Sequence, residues 1–409
     1  MIDTAIIRQR ILDKLLYEDI NNDVEELKWS AVSKNIQYGI SEKITNNGPL
    51  RVVRITDLAE RKINWNTVPF HTLQKGCLEH YLLKDGDILF ARSGATVGKS
   101  VLVKDPPDNT IFAGYLIRST PDQSVVLPVY ASYYFQTSIF WSQLSEGVTS
   151  TAQPNFNGKK LGNLKLRVPP LEEQKRIVAK IEGLFAKIDE IDKAQKELKE
   201  LAELAEKKVL DMAVRGELVE QDETKVKKVL VNDHYMILPN SWNVMKGKKI
   251  FKKMTNVVYR AEDSITYIDI GSIDNNLNVI SSPKQLKANE APSRAKRFIE
   301  YGDVLFSMVR PYLRNIAKVQ TKFLNPVAST GFYVMSPIDE KTLSSDFVLY
   351  VCLSPLVING LNEKMKGDNS PSIRASDIEN FDYPIPPIET QKRISEIVCK
   401  VRKKLFAIL

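Results

Sequence analysis

Val168-Pro-Pro-Leu-Glu-Glu-Gln-Lys-Arg-Ile177 occurs once in the chain, and Ile385-Pro-Pro-Ile-Glu-Thr-Gln-Lys-Arg-Ile394 repeats it at an offset of 217 residues (385 minus 168). A second pair of segments, Tyr81-Leu-Leu-Lys-Asp-Gly-Asp-Ile-Leu-Phe90 and Arg297-Phe-Ile-Glu-Tyr-Gly-Asp-Val-Leu-Phe306, aligns at an offset of 216 (297 minus 81). Segments that repeat at a fixed spacing predict the domain plan of a chain more directly than any single helix or strand does. The sequence therefore predicts two halves with one plan, a globular block followed by a Pro-Pro stop and a charged segment.

The charged segment after each Pro-Pro pair has the period of a coiled coil. Apolar residues recur at alternating steps of four and three from Ile177 to Met212, with Glu and Lys between them, which is typical of an a/d seam. Gly216 supplies a stop, so we predict a helix from about 171 to 215, ~65 Å long at ~1.5 Å per residue. The seam and interface residues predicted for the two helices are Pro170, Gln174, Ile177, Ile181, Leu184, Ile188, Ile191, Leu198, Pro387, Gln391, Ile394, Val398, Val401 and Leu405.

The amino terminus resembles the far end of the first long helix. Ile11-Leu-Asp-Lys-Leu-Leu16 matches Val209-Leu-Asp-Met-Ala-Val214, as if the end of the second helical copy stood at the start of the chain. The predicted fold class is therefore α+β, with two mixed α/β domains joined by an antiparallel coiled coil of two long helices, in a circular, pseudo-two-fold repeat. The predicted segments are residues 1–20 (completing the second helical region), 21–170 (first domain), 171–220 (central long helix), 221–387 (second domain) and 388–409 (C-terminal helix).

Within the domains we expect short strands and buried helices. Residues 87–92 and 99–103 read as two strands around a Gly turn, and residues 331–335 read as a strand of the second copy. Residues 131–144 and 347–361 each read as one buried helix.

Composition limits the class of protein. The chain has 409 residues and 43% apolar content, which excludes intrinsic disorder and a disulfide-stapled miniprotein. There are 58 Lys plus Arg against 50 Asp plus Glu, a net charge of +8, which favours a polyanionic partner. Cys77, Cys352 and Cys399 are odd in number and far apart, so no disulfide framework is expected. With charged residues interrupting the apolar N-terminus and Pro128 in the longest uncharged run, we expect a soluble cytoplasmic protein and no membrane segment.

Three segments suggest catalysis or metal binding, and each has a simpler interpretation. Residues 94–100 look like a phosphate-binding loop but are one residue short, so a turn between strands is favoured. Asp105-Pro-Pro-Asp108 lacks the aromatic residue of adenine methyltransferases. His71, Cys77 and His80 lack a fourth ligand, and the second copy lacks all three. We therefore predict no metal, no cofactor and no catalytic residues in this chain.

Base and phosphate recognition remains as the candidate chemistry. Arg pairs with guanine, Asn or Gln with adenine, and Ser, Thr or Lys with phosphate. The divergent tips of a duplicated scaffold are where such residues are expected, although a solvated surface or capping role fits each of them as well. The candidate DNA contacts are Arg92, Ser93, Thr96 and Lys99 in the first domain, Arg310, Tyr312 and Arg314 in the second, and Gln153, Asn155, Ser370 and Arg374 ahead of the Pro-Pro stops.

The order of these blocks resembles the DNA specificity subunit of Type I restriction-modification systems. The resemblance rests on the two-copy plan, on the run from Gly86-Asp-Ile-Leu-Phe90 to residues 94–99, and on the doubled Pro-Pro-Leu/Ile-x-x-Gln-Lys-Arg-Ile signature. It covers nearly the whole chain. The second copy departs from it at the Gly loop, a region that varies within the family because it belongs to the target-recognition domain.

The resemblance implies two target-recognition domains, each reading one half of a bipartite, asymmetric site in double-stranded DNA. It also implies that the helices set the spacer and dock two modification (methyltransferase) subunits and, through them, ATP-dependent restriction subunits. The subunit itself would perform no chemistry. Two alternatives remain open: a self-sufficient DNA methyltransferase or nuclease, and a coiled-coil scaffold that binds DNA without sequence preference.

Overall fold

The longest helix of the protein spans Leu171–Arg215, 45 residues, and its bounds confirm the prediction. It follows Pro170, and a proline just ahead of a helix is tolerated because the first main-chain N–H groups have no partner inside the helix. Acidic Glu172 and Glu173 in the first turn and basic Arg215 in the last turn match the helix dipole. The residue after the helix is Gly216, whose φ of 80° is the left-handed conformation that commonly stops a helix.

The computed structural model describes residues 2–21, 23–40, 47–59, 62–72, 78–146, 156–220 and 225–408. The chain divides into two compact units, Ile2–Gln195 and Lys196–Leu409, so the border between them lies inside the long helix. Both units mix helices with short strands.

Among its described residues, the first unit has an antiparallel four-stranded sheet, a mixed three-stranded sheet and four helices ahead of the long helix. A four-stranded sheet has the order β2-β10-β7-β8, and a three-stranded sheet has the order β6-β3-β9; β1 pairs with β11 and β4 with β5. The elements are α1 (Thr4–Asp13, continued by a π-helical turn Lys14–Glu18), β1 (Glu26–Lys28), β2 (Ser33–Tyr38), β3 (Leu50–Val53), β4 (Leu58–Ala59), β5 (Lys62–Ile63), β6 (Phe70–His71), β7 (Ile88–Ala91), β8 (Ser100–Leu102), β9 (Thr110–Phe112), β10 (Leu116–Pro121), α2 (Pro128–Tyr134), α3 (Ser138–Glu146), α4 (Gly158–Asn163), β11 (Lys165–Arg167) and α5 (Leu171–Arg215).

The second unit repeats this plan and adds a β-hairpin directly after the long helix. Its sheets have the orders β18-β15-β22-β19 and β21-β20-β23, and β12 pairs with β13, β14 with β24 and β16 with β17. The elements are β12 (Val226–Val231), β13 (His234–Pro239), β14 (Asn243–Lys246), α6 (Gly247–Ile250), β15 (Ser264–Ile268), β16 (Ile273–Asp274), β17 (Val279–Ile280), β18 (Lys284–Lys287), β19 (Ala295–Phe298), β20 (Val304–Ser307), β21 (Ile316–Lys318), β22 (Pro326–Ser329), β23 (Phe332–Met335), α7 (Ser345–Leu353), α8 (Pro355–Asn362), α9 (Ala375–Glu379), β24 (Asp382–Ile385) and α10 (Ile388–Ile408).

The internal repeat is visible strand by strand. β7 pairs antiparallel with β8 and β10, as β20 does with β21 and β23. The parallel pair of β3 and β9 recurs as β15 and β22. The pair β1 and β11, which precedes the first Pro-Pro stop, recurs as β14 and β24. The predicted mixed α/β plan in two repeated domains is confirmed.

The repeated Gly-Asp dipeptide forms a tight turn ahead of the central strand in each unit. Gly86 and Gly302 adopt φ values of 88° and 99°, which favour glycine because it has no Cβ. The following carboxylates, Asp87 and Asp303, each accept the main-chain N–H of the residue three positions earlier, at 2.8 and 2.7 Å. Burial raises the pKa of both carboxyl groups above their ordinary value. The motif that aligned the two halves is thus a structural turn.

The structure corrects the two buried helices predicted over residues 131–144 and 347–361, because each is broken into two. α7 ends before Ser354 and α8 begins with Pro355, a residue that cannot sit inside a helix but suits its first position. At the equivalent break between α2 and α3, Thr137 takes the place of Ser354. Each of these hydroxyl oxygens accepts a main-chain N–H from three residues further on, at 3.2 and 3.4 Å, and so caps the new helix.

Within the described residues, no single helix is long and apolar enough to span a membrane. α7 and α8 reach that length and composition only together, across a bend of 57°. Every residue of α7 from Phe347 to Leu353 is buried in the core of the second unit.

In the first unit, α5 packs against α1, which runs in the opposite direction. Thr4 Oγ1 donates to Asp192 Oδ1 at 2.6 Å, and Arg8 Nη2 donates to Asp189 Oδ1 at 2.7 Å. On the α5 side, the seam residues Ile177, Ile181 and Ile188 are buried, Leu184 is half-buried and Ile191 is 37% exposed.

In the second unit, the buried face of α5 lies one residue away from the expected seam. The expected position Ala202 is buried, but beyond it the buried residues are Glu206, Leu210 and Ala213, each one residue after the expected positions 205, 209 and 212, which are only half-buried. A straight helix of 3.6 residues per turn drifts relative to a seven-residue pattern, which explains the change of face. Of the other predicted interface residues, Ile394 and Val398 on α10 are buried, Val401 and Leu405 are half-buried, Leu198 is 39% exposed, and Pro170 and Pro387 are exposed.

The glutamine of the first Pro-Pro signature joins α5 to the first unit's domain. Gln174 is fully buried. Its Oε1 accepts the Leu127 N–H at 2.8 Å, and its Nε2 donates to the carbonyl oxygens of Val125 and Pro169 at 2.9 and 2.8 Å. One side chain thereby binds both the loop ahead of α2 and the turn that starts α5.

Gln391 makes the same three bonds in the second unit. It is also fully buried. Its Oε1 accepts the Ser344 N–H at 2.8 Å, and its Nε2 donates to the carbonyl oxygens of Thr342 and Pro386 at 2.9 and 2.8 Å. Both glutamines were predicted as interface residues of the helices, and the structure places them inside the joint between helix and domain.

We expect Gln391→Ala to lower the free energy of unfolding by ~3 kcal/mol, because it leaves one N–H and two carbonyl groups buried without their partner. Urea denaturation followed by circular dichroism measures this difference. The matched control is Gln320→Ala, an exposed glutamine of the same unit, which we expect to change the free energy by less than ~0.5 kcal/mol. Equal effects of the two substitutions would contradict the structural role of Gln391.

Candidate nucleic-acid interface

Two loops occupy equivalent places in the two units. The first, residues 92–99, joins β7 to β8, and the second, residues 308–315, joins β20 to β21. Each contains a short 3-10 turn, Gly94–Thr96 in the first loop and Pro311–Leu313 in the second. The segment that resembled a phosphate-binding loop is therefore a turn between antiparallel strands, as predicted.

Both loops have a left-handed residue at two equivalent positions, within or next to the turn. Gly94 and Gly98 have φ values of 76° and 83° in the first loop. At the equivalent places, 216 residues on, Arg310 and Arg314 have φ values of 48° and 54°. Non-glycine residues rarely adopt this conformation because of their Cβ. The two loops thus share two left-handed positions but differ in side chains, with their basic residues at Arg92 and Lys99 in the first loop and at Arg310 and Arg314 in the second.

Each loop is tied to the segment that leads into the short helix before the Pro-Pro stop. Phe156 donates its N–H to the Arg92 carbonyl at 3.2 Å, and Ile373 donates to the Met308 carbonyl at 2.9 Å. Because Phe156 and Ile373 are equivalent in the repeat, this bond is a feature of the scaffold. The structure therefore brings the loop next to the segment before the stop in the second domain, and next to Phe156 in the first.

The second loop makes further contacts with that segment. Arg310 donates its N–H to the Pro371 carbonyl at 2.8 Å and its Nη2 to the Asn369 carbonyl at 2.9 Å. Ser370, between these two residues, is exposed, and so is Arg374, which donates its N–H to Asp377 Oδ2 at 2.7 Å at the start of α9. Gln153 and Asn155, the candidates of the first domain, lie outside the described residues.

The candidate side chains of the first loop contact their own domain. The Arg92 guanidinium lies over the Tyr38 ring at 4.8 Å, a favourable cation–π distance, and Lys99 Nζ donates to the Leu58 carbonyl at 2.5 Å. Ser93 and Thr96 are half-buried. Tyr38 was not selected from the sequence, because its distance along the chain from Arg92 hides the contact.

The second loop presents apolar and basic groups to solvent. Arg310 is exposed, and Tyr312 and Leu313 are 45% and 40% exposed. Arg314 points elsewhere, since its Nη1 donates to Glu206 Oε2 on α5 at 3.1 Å. Leu313 was not selected from the sequence, because a single leucine next to a tyrosine is typical of a buried core residue.

The described residues contain no group of three or more His, Cys, Asp and Glu side chains that could hold a metal ion. Of the weighed ligand set, His71 is buried in β6 and His80 is exposed. Cys77 lies outside the described residues.

The chain matches the family model for the Type I restriction modification DNA specificity domain twice, over residues 33–203 and 240–408. The two matches cover most of the chain and coincide with the two halves of the repeat. The chain therefore belongs to the family of Type I restriction-modification DNA specificity proteins.

Curated relatives of the chain are specificity subunits of Type I restriction enzymes. That of EcoKI from Escherichia coli (strain K12) is 26% identical over 211 residues, 50% of this chain and 45% of the relative. That of EcoBI from Escherichia coli is 24% identical over 289 residues, 67% of this chain and 58% of the relative. That of MjaVIII from Methanocaldococcus jannaschii is 19% identical over 323 residues, 77% of this chain and 72% of the relative. The chain thus spans about half the length of the first two relatives.

Solved structures show the same fold. The HsdS subunit from Thermoanaerobacter tengcongensis superposes with a TM-score of 0.52 at 18% identity, over 95% of this chain and 91% of that one. A structure described as the basis of complex assembly and conformational transition of the type I R-M system gives a TM-score of 0.64 at 18% identity, over 95% and 92% of the two chains.

We expect Gly98→Ala to destabilise the first loop more than Gly94→Ala. Both positions have positive φ, which costs an alanine ~1 kcal/mol. A Cβ at Gly98 would also lie 2.3 Å from Leu144 Cδ2 and 3.0 Å from the Trp141 ring, whereas a Cβ at Gly94 meets nothing within 4 Å. Overpacking adds ~1–3 kcal/mol. Thermal unfolding of the two variants measures the difference, and equal melting temperatures would contradict the loop geometry.

Proposed function

We propose that the chain is the DNA sequence-specificity subunit of a Type I restriction-modification complex. Each domain, within residues 21–170 and 221–387, reads one half of a bipartite, asymmetric site in double-stranded DNA. One observation carries the proposal: a single loop scaffold occurs twice with unlike tips, Gly94-Ala-Thr-Val-Gly98 in one unit and Arg310-Pro-Tyr-Leu-Arg314 in the other. Loops with equivalent left-handed positions and different side chains suit the reading of two different DNA sequences.

The exposed groups of the second loop have the chemistry of DNA readers. Arginine binds guanine through two parallel hydrogen bonds, and exposed aromatic rings stack on bases or contact thymine methyl groups. Arg310 and Tyr312 supply these groups, while Ser370 and Arg374 suit phosphate contacts. The net charge of +8 supports a polyanionic partner.

We infer that α5 forms an antiparallel coiled coil with a second rod made of α10 and α1, so that the repeat is circular. α1 along the first part of α5 and α10 beside Glu206 of the later part support this arrangement. Such a pair of rods would set the spacer between the half-sites. It would also offer two similar docking surfaces, one for each of two modification subunits, which in turn bind the restriction subunits.

In this proposal the chain acts in the cytoplasm and performs no chemistry itself. It holds DNA so that a base in each half-site enters the active site of a modification subunit. Two other functions are outcomes of the tests below: turnover by the purified chain alone would indicate a methyltransferase or nuclease, and binding without sequence preference would indicate a scaffold.

The first test is co-purification of the chain with a methyltransferase, followed by mapping of modified bases in the host genome. We expect one asymmetric motif with an unread spacer. Tyr312→Ala in this complex should weaken binding to that motif about tenfold, because loss of one stacked base costs ~1–3 kcal/mol. The matched control is Tyr301→Ala, an exposed tyrosine ahead of β20, at the opposite end of the strand from the loop (58% exposed, against 45% for Tyr312). Equal affinities of the two variants, or a genome without such a motif, would contradict the proposal.

A second test concerns the spacer. Seven residues inserted near Gln195, with a matching heptad in the opposing helix, lengthen the rods by ~10.5 Å at ~1.5 Å per residue. This length equals about 3 base pairs at ~3.4 Å each, so we expect the mapped spacer to grow by about that number. An unchanged spacer would refute the coiled coil as a ruler while leaving sequence recognition intact.

A further inference from the structure

Glu206 of α5 is a buried carboxylate between two arginines. It is 8% exposed. Its Oε1 accepts a hydrogen bond from Arg402 Nε of α10 at 2.7 Å, and its Oε2 accepts one from Arg314 Nη1 of the second loop at 3.1 Å. One carboxylate thereby connects the long helix, the C-terminal helix and the loop that carries the exposed Arg310 and Tyr312.

Asn278, in the turn between β16 and β17, closes this network. Its Oδ1 accepts a hydrogen bond from Arg402 Nη2 at 2.5 Å, and its Nδ2 donates to the main-chain carbonyl of Arg314 at 3.0 Å. Arg314 is therefore held twice, by its guanidinium and by its backbone.

The backbone of Arg314 indicates why this double hold matters. Its φ of 54° is left-handed, and the first loop has Gly98 at the equivalent place. An arginine in this conformation is strained and persists only where its surroundings over-determine it. A glycine at position 314 would adopt this backbone conformation without strain. The presence of arginine therefore indicates a role for its side chain.

Stability alone explains the network poorly. Buried ion pairs often contribute little net stability because of desolvation. Here two arginines share one carboxylate, and Arg314 Nε and Nη2 are buried without a hydrogen-bond partner in the described structure. A buried network with an excess positive charge and unpaired donors costs folding free energy. A role in positioning the loop therefore explains the network better than a role in stability does.

The first unit has no such link among its described residues. Arg8 and Phe185 occupy the helix positions equivalent to Glu206 and Arg402 (offsets of 198 and 217, as 206 minus 8 and 402 minus 185). There the Arg8 guanidinium lies over the Phe185 ring at 5.0 Å, and that ring packs on Tyr133 at 5.8 Å. Gly98 has no side chain to reach them.

We propose that Glu206 is a positioning residue for DNA reading by the second domain only. It acts through Arg314 and sets the loop with Arg310 and Tyr312 relative to the helix pair, whereas the first loop is set by its own domain. This inference rests on the proposed function. Through this polar link, a movement of the helices, such as one caused by partner docking, would shift the loop of the second domain and leave the loop of the first domain in place.

The test compares Glu206→Gln with Glu203→Gln, which removes the same charge from an exposed position on the same helix. Hydrogen exchange of the free full-length chain reports on the network without DNA. We expect the amides of Leu313, Arg314 and Ile316, which are hydrogen-bonded within the loop, to exchange faster in Glu206→Gln only. Competition binding of the complex with its modification subunit, against DNA altered at one base at a time, reports on reading.

We expect Glu206→Gln to reduce discrimination about tenfold at bases of the half-site read by the second domain, which corresponds to ~1.4 kcal/mol, and to leave the other half-site unchanged. Unchanged exchange at the loop, or an equal loss at both half-sites, would overturn the positioning role. If the wild-type complex does not discriminate between bases, the proposed function is wrong, and so is the assignment of Glu206 to DNA reading. The hydrogen-exchange result would still show whether the network holds the loop.

Discussion

The buried glutamine at the start of each long helix is the interaction on which the rest of the structure depends. Gln174 and Gln391 use their whole amide group on three main-chain partners each. A helix that emerges from a small domain needs a defined direction, and the Pro-Pro pair supplies a rigid entry that the glutamine binds to the domain behind it. Because the same bonds recur in both units, each domain is held on its helix in the same way.

On this shared framework, the loops can differ without altering the scaffold. The left-handed positions at 94 and 98 recur at 310 and 314, so these two backbone conformations are kept while glycine is exchanged for arginine. The main-chain bond from Phe156, or from Ile373, to the loop is also independent of side chains. The side chains at the tip differ while these backbone features recur, which is what the proposed reading of two different DNA sequences requires.

The two units are nevertheless unequal in how the loop is linked to the helices. In the second unit the loop is bound to α5 and α10 by Glu206, Arg402 and Asn278. In the first unit the equivalent helix residue, Arg8, pairs with Asp189 of α5 and lies over the Phe185 ring, and among the described residues neither contact includes the loop. The ion pair of the second unit therefore constrains the loop as well as the helices, whereas the ion pair of the first unit joins α1 to α5. Pseudo-symmetry of the backbone thus coexists with an asymmetric electrostatic design.

The sequence by itself determined the features that depend on local pattern. The heptads and Gly216 predicted the bounds of α5, the strands around the glycine turn at residues 94–98 followed from their composition, and the offset of about 216 residues predicted two copies of one plan. Tertiary structure decided the rest. The break at Thr137, the burial of Gln174 and Gln391, and the pair of Glu206 with Arg314, 108 residues apart, depend on which groups are desolvated together, and only the folded chain brings those groups into contact.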